Sequence, residues 1–299
     1  MLMLDKLSSI IKQLIIGLEM GSIYALVAVG YTMVYGIIKL INFAHGDFIM
    51  VATFMIYTFI TLIGVPVVVS ILISFVLAIA LGVLTERLAY RPLRKSPSIT
   101  ALITAIAVSL LLQNVFETVY GSQRIPIKDL VPSKDFQLGS IAINNVSIIT
   151  IVIAVAAMVS LTLFIKKTKA GTAMRAVSQN ADAAKLMGID IDKTISLTFA
   201  IGSLLAGLAA LMYYMKFTNI DPYLGSNLGL FAFIAAVVGG IGSIPGAFIG
   251  GFLIGFVEIL PSVLGIDNVF KDIFLFGLLI IVLLFKPQGL LGKNVGEKV

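Results

Sequence analysis

Residues 67–85 read VVVSILISFVLAIALGVLT, a run that contains no charged side chain. A helix of about 20 apolar residues is long enough to cross the hydrocarbon core of a bilayer. Similar runs recur along the chain, in which 59% of the residues are hydrophobic and only 12% are charged. Because a water-soluble domain cannot bury that much apolar surface, the composition indicates an all-α, polytopic helical membrane protein.

Apolar segments can be marked along most of the 299 residues. The nine segments are residues 13–37, 43–63, 66–90, 98–120, 146–165, 194–216, 228–242, 246–264 and 269–285. The seventh and the ninth are short, and the seventh ends in glycines, so the sequence predicts eight or nine transmembrane or partly re-entrant helices. We expect residues 1–299 to form a single transmembrane domain whose first helix is retained rather than cleaved as a leader.

The reactive side chains of soluble enzymes are nearly absent. The chain has no cysteine and one histidine, and the patterns GxSxG, HExxH and GxxxxGK[ST] do not occur. The sequence therefore indicates no enzyme, no metal site and no bound cofactor. The net charge of +6 comes from basic residues between apolar segments, a pattern that reflects membrane topology rather than nucleic-acid binding.

Two long polar connections separate the apolar segments, residues 121–145 and residues 166–193. Lys and Arg collect on the cytoplasmic side of membrane proteins. Placing residues 166–193 in the cytoplasm and residues 121–145 outside the cell puts most of the 21 basic residues on the cytoplasmic side. This orientation requires nine crossings with the N-terminus outside, although Lys6 and Lys12 argue against it at that end.

The connection of residues 166–193 is rich in helix-forming Ala, Lys, Arg, Met and Leu. Its apolar residues predict one short helix with a patchy amphipathic face, ended by Gly188. That pattern suits docking into a groove on a partner, and it equally suits a solvated connector between two membrane helices. The apolar positions are Ala173, Val177, Ala184, Leu186 and Met187.

The motif Asp182-Ala-Ala-Lys-Leu-Met-Gly188 resembles the coupling loop Glu-Ala-Ala-x-x-x-Gly of ABC importer permeases, with Asp in place of the usual Glu. Further blocks are similar to the branched-chain amino acid permeases of the LivH type, and they follow the order of that family along the chain. These blocks are residues 21–36, 41–48, 175–189, 198–210, 237–247 and 286–292.

The resemblance implies a permease subunit of an ATP-binding cassette importer, which moves branched-chain or related amino acids across the cell membrane by alternating access. It also implies the partners: a second homologous permease, two ATPase subunits, an extracytoplasmic solute-binding protein and the lipid bilayer. Because the chain has no GxxxxGK[ST], ATP hydrolysis is expected in the separate subunits. The residues implied to couple to the ATPase are Asp182, Ala183, Ala184, Leu186 and Gly188.

Five polar residues within or beside apolar segments are candidates for the solute path: Glu19, Asn42, His45, Asp47 and Glu258. Ionisable groups at membrane depth are costly unless they pair or face a wet cavity. Each therefore has two interpretations, a place on the path or a structural hydrogen bond. For Asp47 the structural interpretation is a helix N-cap, and for His45 it is a single buried hydrogen bond.

Two further interpretations stay open on the sequence. The first three and the last three segments share a layout, with a turn at residues 42–47 and at residues 239–246, which is compatible with an internal repeat of the kind found in transporters. An ion-coupled secondary transporter could use Glu19, Glu258, His45 or Asp47 to carry ions or protons. The resemblance to a coupling loop favours the ATP-driven importer instead.

Overall fold

A computed structural model describes residues 2–94, 96–138 and 141–292. In these ranges eight helices are long and apolar enough to cross a membrane, and a ninth apolar helix has 16 residues. The helices are α1 Leu2–Ile38, α2 His45–Tyr57, α3 Val67–Thr85, α4 Ser98–Tyr120, α5 Asn145–Lys167, α6 Lys169–Gln179, α7 Ala181–Leu186, α8 Ile191–Lys216, α9 Leu224–Gly239, α10 Ile244–Leu264 and α11 Lys271–Phe285. The prediction of a helical protein with eight or nine spans is confirmed.

Several helices continue as tighter or wider turns, and the loops carry short strands. A π-helical turn, Thr58–Ile63, extends α2, and a second one, Glu86–Tyr90, extends α3 into the 3-10 turn Arg91–Leu93. Strand β1 (Ile125–Pro126) pairs antiparallel with β4 (Asn219–Ile220), and β2 (Asp135–Leu138) pairs antiparallel with β3 (Ile141–Asn144). Strands β1, β2 and β3 all lie in the long connection of residues 121–145.

The centre of the bundle is the contact between α1 and α10, which approach backbone to backbone. A Cβ added at Gly255 would overlap backbone atoms of Gly17 and Gly21, and one added at Gly251 would overlap Ala25. Small residues allow this approach in membranes, where helix association depends on van der Waals contact rather than on the hydrophobic effect. The glycine pair at positions 251 and 255 therefore sets the spacing of the two helices.

The two long connections lie at opposite ends of the bundle. Residues 121–145 lead into the start of α5 and pair through β1 with β4, which follows the end of α8. Residues 166–193 join the other ends of α5 and α8. The C-terminal segment also lies at that second end, where the backbone N–H groups of Leu290 and Leu291 donate to the carbonyls of Val238 and Gly239.

Two helix breaks fall where the sequence has polar and glycine-bearing turns. The chain leaves α1 at Lys39, which has a φ of 57°, and enters α2 at His45. It leaves α9 at Gly240 and Gly242, whose φ values are 112° and 90°. Non-helical backbone in a membrane protein must be covered by protein, and Asn42 and Ala44 in the first break are buried. The internal repeat that these breaks suggested stays a prediction.

Candidate coupling segment and solute path

The segment between α5 and α8 folds as two short helices. Thr168 caps α6 by accepting a hydrogen bond from the Gly171 N–H, and Asn180 caps α7 by accepting one from the Ala183 N–H at 2.9 Å. The sequence-based prediction of one helix up to Gly188 was wrong, because Asn180 is extended, with φ −157°, and ends α6. The stop at Gly188 is confirmed by its φ of +81°, a conformation that glycine adopts without strain.

The apolar residues of this segment divide into two sets instead of forming one face. Met174, Val177 and Ala184 are buried against the rest of the protein. Leu186 and Met187 point away from it and are 88% and 83% exposed. The predicted single amphipathic face is therefore corrected to an inward set that anchors the segment and an outward apolar pair at its tip.

The segment joins α8 through a capped turn. Asp190 accepts a hydrogen bond from the Lys193 N–H at 3.0 Å, which starts α8. This hydrogen bond, together with the Lys193 side chain, holds the pKa of Asp190 below its ordinary value. A carboxylate at a helix N-terminus is also favoured by the helix dipole. The short turn between Gly188 and Asp190 is therefore fixed at both ends.

Glu19 is buried inside the bundle, and one of its carboxylate oxygens has two partners. It is 1% exposed, accepts a hydrogen bond from Ser147 Oγ at 2.8 Å and forms an ion pair with Lys216. It borders a cavity of about 430 Å³ that also contacts residues of the 121–145 loop. Its charge is thus compensated at the end of the bundle that carries that loop.

Glu258 lies in the wall of a larger cavity, of about 740 Å³. Tyr24 Oη and Lys271 Nζ donate to its two carboxylate oxygens, both at 2.8 Å. Arg124 of the 121–145 loop also lines this cavity, as does Lys216, the partner of Glu19. Glu19 and Glu258 therefore belong to neighbouring cavities at one end of the protein.

Asp47 lies in the first turn of α2, where the protein is tightly packed. Gln113 Nε2 donates to Asp47 Oδ1 at 2.9 Å and to Ser226 Oγ at 2.8 Å, which links α2, α4 and α9. Gly46 beside it packs against the α9 backbone. The N-cap residue of α2 is Ala44 and makes no side-chain cap, so the interpretation of Asp47 as the cap itself is corrected to a first-turn acid with a hydrogen bond to α4.

Asn42 and His45 are buried at the same break between α1 and α2, close to Asp47, but they have other partners. Asn42 Oδ1 accepts a hydrogen bond from Tyr90 Oη at 2.8 Å. The His45 imidazole packs edge-on against Tyr31, with ring centroids 5.0 Å apart, and a Cβ at Gly30 would overlap it. The structure thus does not bring the five candidate path residues together: two lie beside cavities and three lie in helix packing.

Sequence reasoning missed the partners of these groups. Gln113, Lys216 and Lys271 each bind a candidate acid, yet each is far from it along the chain or belongs to another helix. Weak signals existed, because Gln113 interrupts an apolar segment and the two lysines stand at the ends of such segments. A lone polar residue in an apolar run identifies a need for a partner but not the partner.

Comparison with known proteins agrees with the fold and with the motifs. The family described as "Branched-chain amino acid transport system / permease component" matches residues 13–283. The chain is 41% identical to the high-affinity branched-chain amino acid transport system permease protein BraD of Pseudomonas aeruginosa, over 97% of this chain and 98% of that protein. It is 40% identical to the corresponding permease protein LivH of Escherichia coli, over 97% of each.

A solved structure shares the fold. The fold is similar to that of one chain in the structure "PsaBC from Streptococcus pneumoniae in complex with Fab", with a TM-score of 0.50. The superposition covers 93% of this protein and 91% of that chain, and the two sequences are 13% identical. The similarity extends over nearly the whole helical bundle. It shows the common architecture of the membrane helices.

The family match and the two relatives cover nearly the full length of this chain. They decide against an ion-coupled secondary transporter, because the relatives are components of multi-subunit transport systems. Membership of such a system implies ATPase and solute-binding partners in general. The chain belongs to the family of permease components of branched-chain amino acid transport systems, and it is a multi-pass membrane subunit rather than an enzyme, with ATP hydrolysis in separate subunits.

Proposed function

We propose that this permease imports branched-chain amino acids as one of two homologous permease subunits, together with two ATPase subunits and an extracytoplasmic solute-binding protein. The observation that carries the proposal is identity of 40% or more, over 97% of the chain, to permeases named for that cargo. Binding proteins can supply much of the selectivity in such systems, so the cargo is a property of the assembled transporter.

The segment of residues 166–193 is proposed to be the cytoplasmic coupling loop, with residues 121–145 on the extracytoplasmic side. The residues of this loop that we propose to contact the ATPase are Asp182, Ala183, Leu186 and Gly188, which are exposed. Ala184, which the sequence also suggested, is buried and instead anchors the loop to the rest of the protein. Two features support this role: the apolar tip of Leu186 and Met187 is exposed, and buried side chains of α6 fix the base of the segment. Two exposed apolar side chains on a segment that is anchored by buried residues are suited to bind in a groove on an ATPase.

The path is proposed to begin at the end with the 121–145 loop. There Glu19 and Glu258 lie beside cavities of about 430 and 740 Å³ that contain opposite charges, a setting suited to a zwitterionic solute. Asn42, His45 and Asp47 are proposed to act as the gate rather than as the entrance, because they lie at the buried break between α1 and α2. Rigid helices on either side of such a break can tilt separately.

The cargo is tested by competition in proteoliposomes that hold the assembled transporter and its binding protein. Unlabelled leucine, isoleucine or valine in hundredfold excess should reduce uptake of radiolabelled leucine by roughly tenfold or more, as expected when each competitor occupies the same site. Urea at the same excess should leave uptake unchanged. Inhibition by urea and not by isoleucine would contradict the proposed cargo.

Substitutions of Gly188 test the proposed coupling loop, and they distinguish the effect of its backbone conformation from the effect of adding a side chain. A Cβ there meets nothing within 4 Å, but a φ of +81° costs an ordinary L residue about 1–2 kcal/mol. Gly188→Val is therefore expected to lower leucine uptake severalfold while the protein still inserts at a normal level. Gly188→Asn is the matched control, because asparagine tolerates this conformation. Equal uptake by the two variants would show that the conformation of Gly188 is unimportant.

A further inference from the structure

Glu86 is a buried carboxylate at the end of α3, in the π-helical turn that follows the helix. It is fully buried, and Ser196 Oγ of α8 donates to its Oε2 at 2.7 Å. Arg94 forms an ion pair with its other oxygen. A buried charge is tolerated only while its partners remain in place, so Glu86 fixes α8 and the turn around Arg94 in one arrangement.

Arg94 extends this contact to the start of α8. Its second guanidinium nitrogen pairs with Asp192, and Arg91 pairs with the other oxygen of the same carboxylate. Asp192 lies at the end of the proposed coupling loop, shortly after Gly188, in the first turn of α8. The first turn of α8 is therefore held to the end of α3 directly beside the coupling loop.

Tyr90 extends the contacts in the other direction. It is 1% exposed, its ring centroid lies 5.3 Å from that of Phe199 on α8, and its hydroxyl donates to Asn42 Oδ1 at 2.8 Å. Asn42 belongs to the break between α1 and α2. We define the Glu86 network as Asp192, Arg94, Glu86, Tyr90 and Asn42. Side-chain contacts join Asp192 to Glu86 and Tyr90 to Asn42, and the π-helical turn Glu86–Tyr90 connects these two parts through its backbone.

We propose that Glu86 and Tyr90 are positioning residues that transmit a displacement of the coupling loop to the break between α1 and α2. The proposal rests on the proposed function of residues 166–193. Helix α8 cannot shift away from Glu86 without removing the Ser196 hydroxyl, a hydrogen-bond donor, from a buried carboxylate. The turn that carries Tyr90 therefore moves with α8, and Asn42 moves with Tyr90. Networks of this kind couple sites because their members have few alternative arrangements.

The test is the number of ATP molecules hydrolysed per leucine imported by the assembled transporter in proteoliposomes. Glu86→Gln and Tyr90→Phe are each expected to raise this ratio about three- to tenfold, a change that lies within the range by which residues of such networks alter the coupling between two sites. Binding of the ATPase should be unchanged. The double variant should have nearly the ratio of one single variant, because both changes interrupt the same series of contacts.

A matched control comes from the other end of the protein, where Tyr223 Oη donates to Glu117 Oε2 at 2.8 Å. Glu117→Gln and Tyr223→Phe make the same chemical changes in a different carboxylate–tyrosine pair. In the part of the chain that the structure describes, this pair makes no hydrogen bond to the Glu86 network. Both should keep the ratio of the unsubstituted protein. A rise in these variants equal to that of Glu86→Gln would overturn the proposal.

Tyr90→Phe removes one hydroxyl and keeps the buried ring, so this variant is expected to fold. It therefore tests the proposed transmission even if Glu86→Gln fails to fold. If Tyr90→Phe binds the ATPase and keeps the ratio of ATP hydrolysed to leucine imported unchanged, this inference is overturned. The proposed role of residues 166–193 as the coupling loop is not affected by that result. If uptake and ATP hydrolysis fall in proportion in Glu86→Gln and in Tyr90→Phe, the inference is also overturned, because the two residues then have a purely structural role. Failure of the unsubstituted chain to bind an ATPase would overturn the proposed function and this inference together.

Discussion

Leucine uptake is expected to fall at least tenfold when Leu186→Asp and Met187→Asp are introduced together. Both side chains are more than four-fifths exposed in the isolated chain, and we propose that an ATPase groove buries them. Burial of a large apolar side chain contributes about 1.5–3 kcal/mol, and each 1.4 kcal/mol is a factor of ten in binding. The measurements are uptake into proteoliposomes and co-purification of the ATPase with the permease.

The control for this variant is Leu291→Asp, which places the same charge on an exposed leucine at the same end of the protein. Leu291 is 46% exposed, and the hydrogen bond it makes to Gly239 uses its backbone N–H, which the substitution retains. We expect this variant to bind the ATPase and to transport normally. Normal co-purification of the ATPase with the Leu186 and Met187 double variant would exclude the pair as the docking contact.

Gly255→Ala is expected to destabilise the folded protein by about 1–3 kcal/mol, the usual cost of inserting an atom into a filled space. The added methyl group would overlap backbone atoms of Gly17 and Gly21, which a side-chain rearrangement cannot relieve. Helices α1 and α10 would have to separate. The measurement is thermal unfolding in detergent, monitored by size-exclusion chromatography, with the amount of monodisperse protein as a second measure.

Gly277→Ala in α11 is the matched control for that substitution. It is also a helical glycine, and a Cβ there meets nothing within 4 Å. Because alanine is a better helix former than glycine by about 1 kcal/mol, this variant should be as stable as the unsubstituted protein or more stable. Destabilisation of equal size in both variants would show that the spacing of α1 and α10 is not the cause.

The membrane helices were predictable because their signal is local. A run such as residues 67–85 has no alternative to a helix in hydrocarbon, where every backbone hydrogen bond must be made within the segment. The end of α7 was equally predictable, since Gly188 is a local stop signal. The division at Asn180 was missed, although asparagine is a strong N-cap, because the same stretch also has high helix propensity.

The partners of the candidate path residues could not be predicted in the same way. Glu19 and Lys216 are 197 residues apart, and Tyr24 and Glu258 are 234 apart. A buried charge requires a partner, but several charged residues satisfy that requirement equally well in the sequence. For the same reason, five candidates that share a polar character proved not to lie together.

The sequence by itself determined that this protein is a helical membrane permease, and which segment between two of its helices carries the coupling motif. Both follow from hydrophobicity, chain length and short motifs, which act over one or two turns. Only the tertiary structure decided that Leu186 and Met187 point outward, that Glu258 borders a cavity and that Glu86 contacts Ser196 of α8 and Arg94. Those relations depend on how helices distant in sequence pack, and packing is a property of three-dimensional contact that no local pattern encodes.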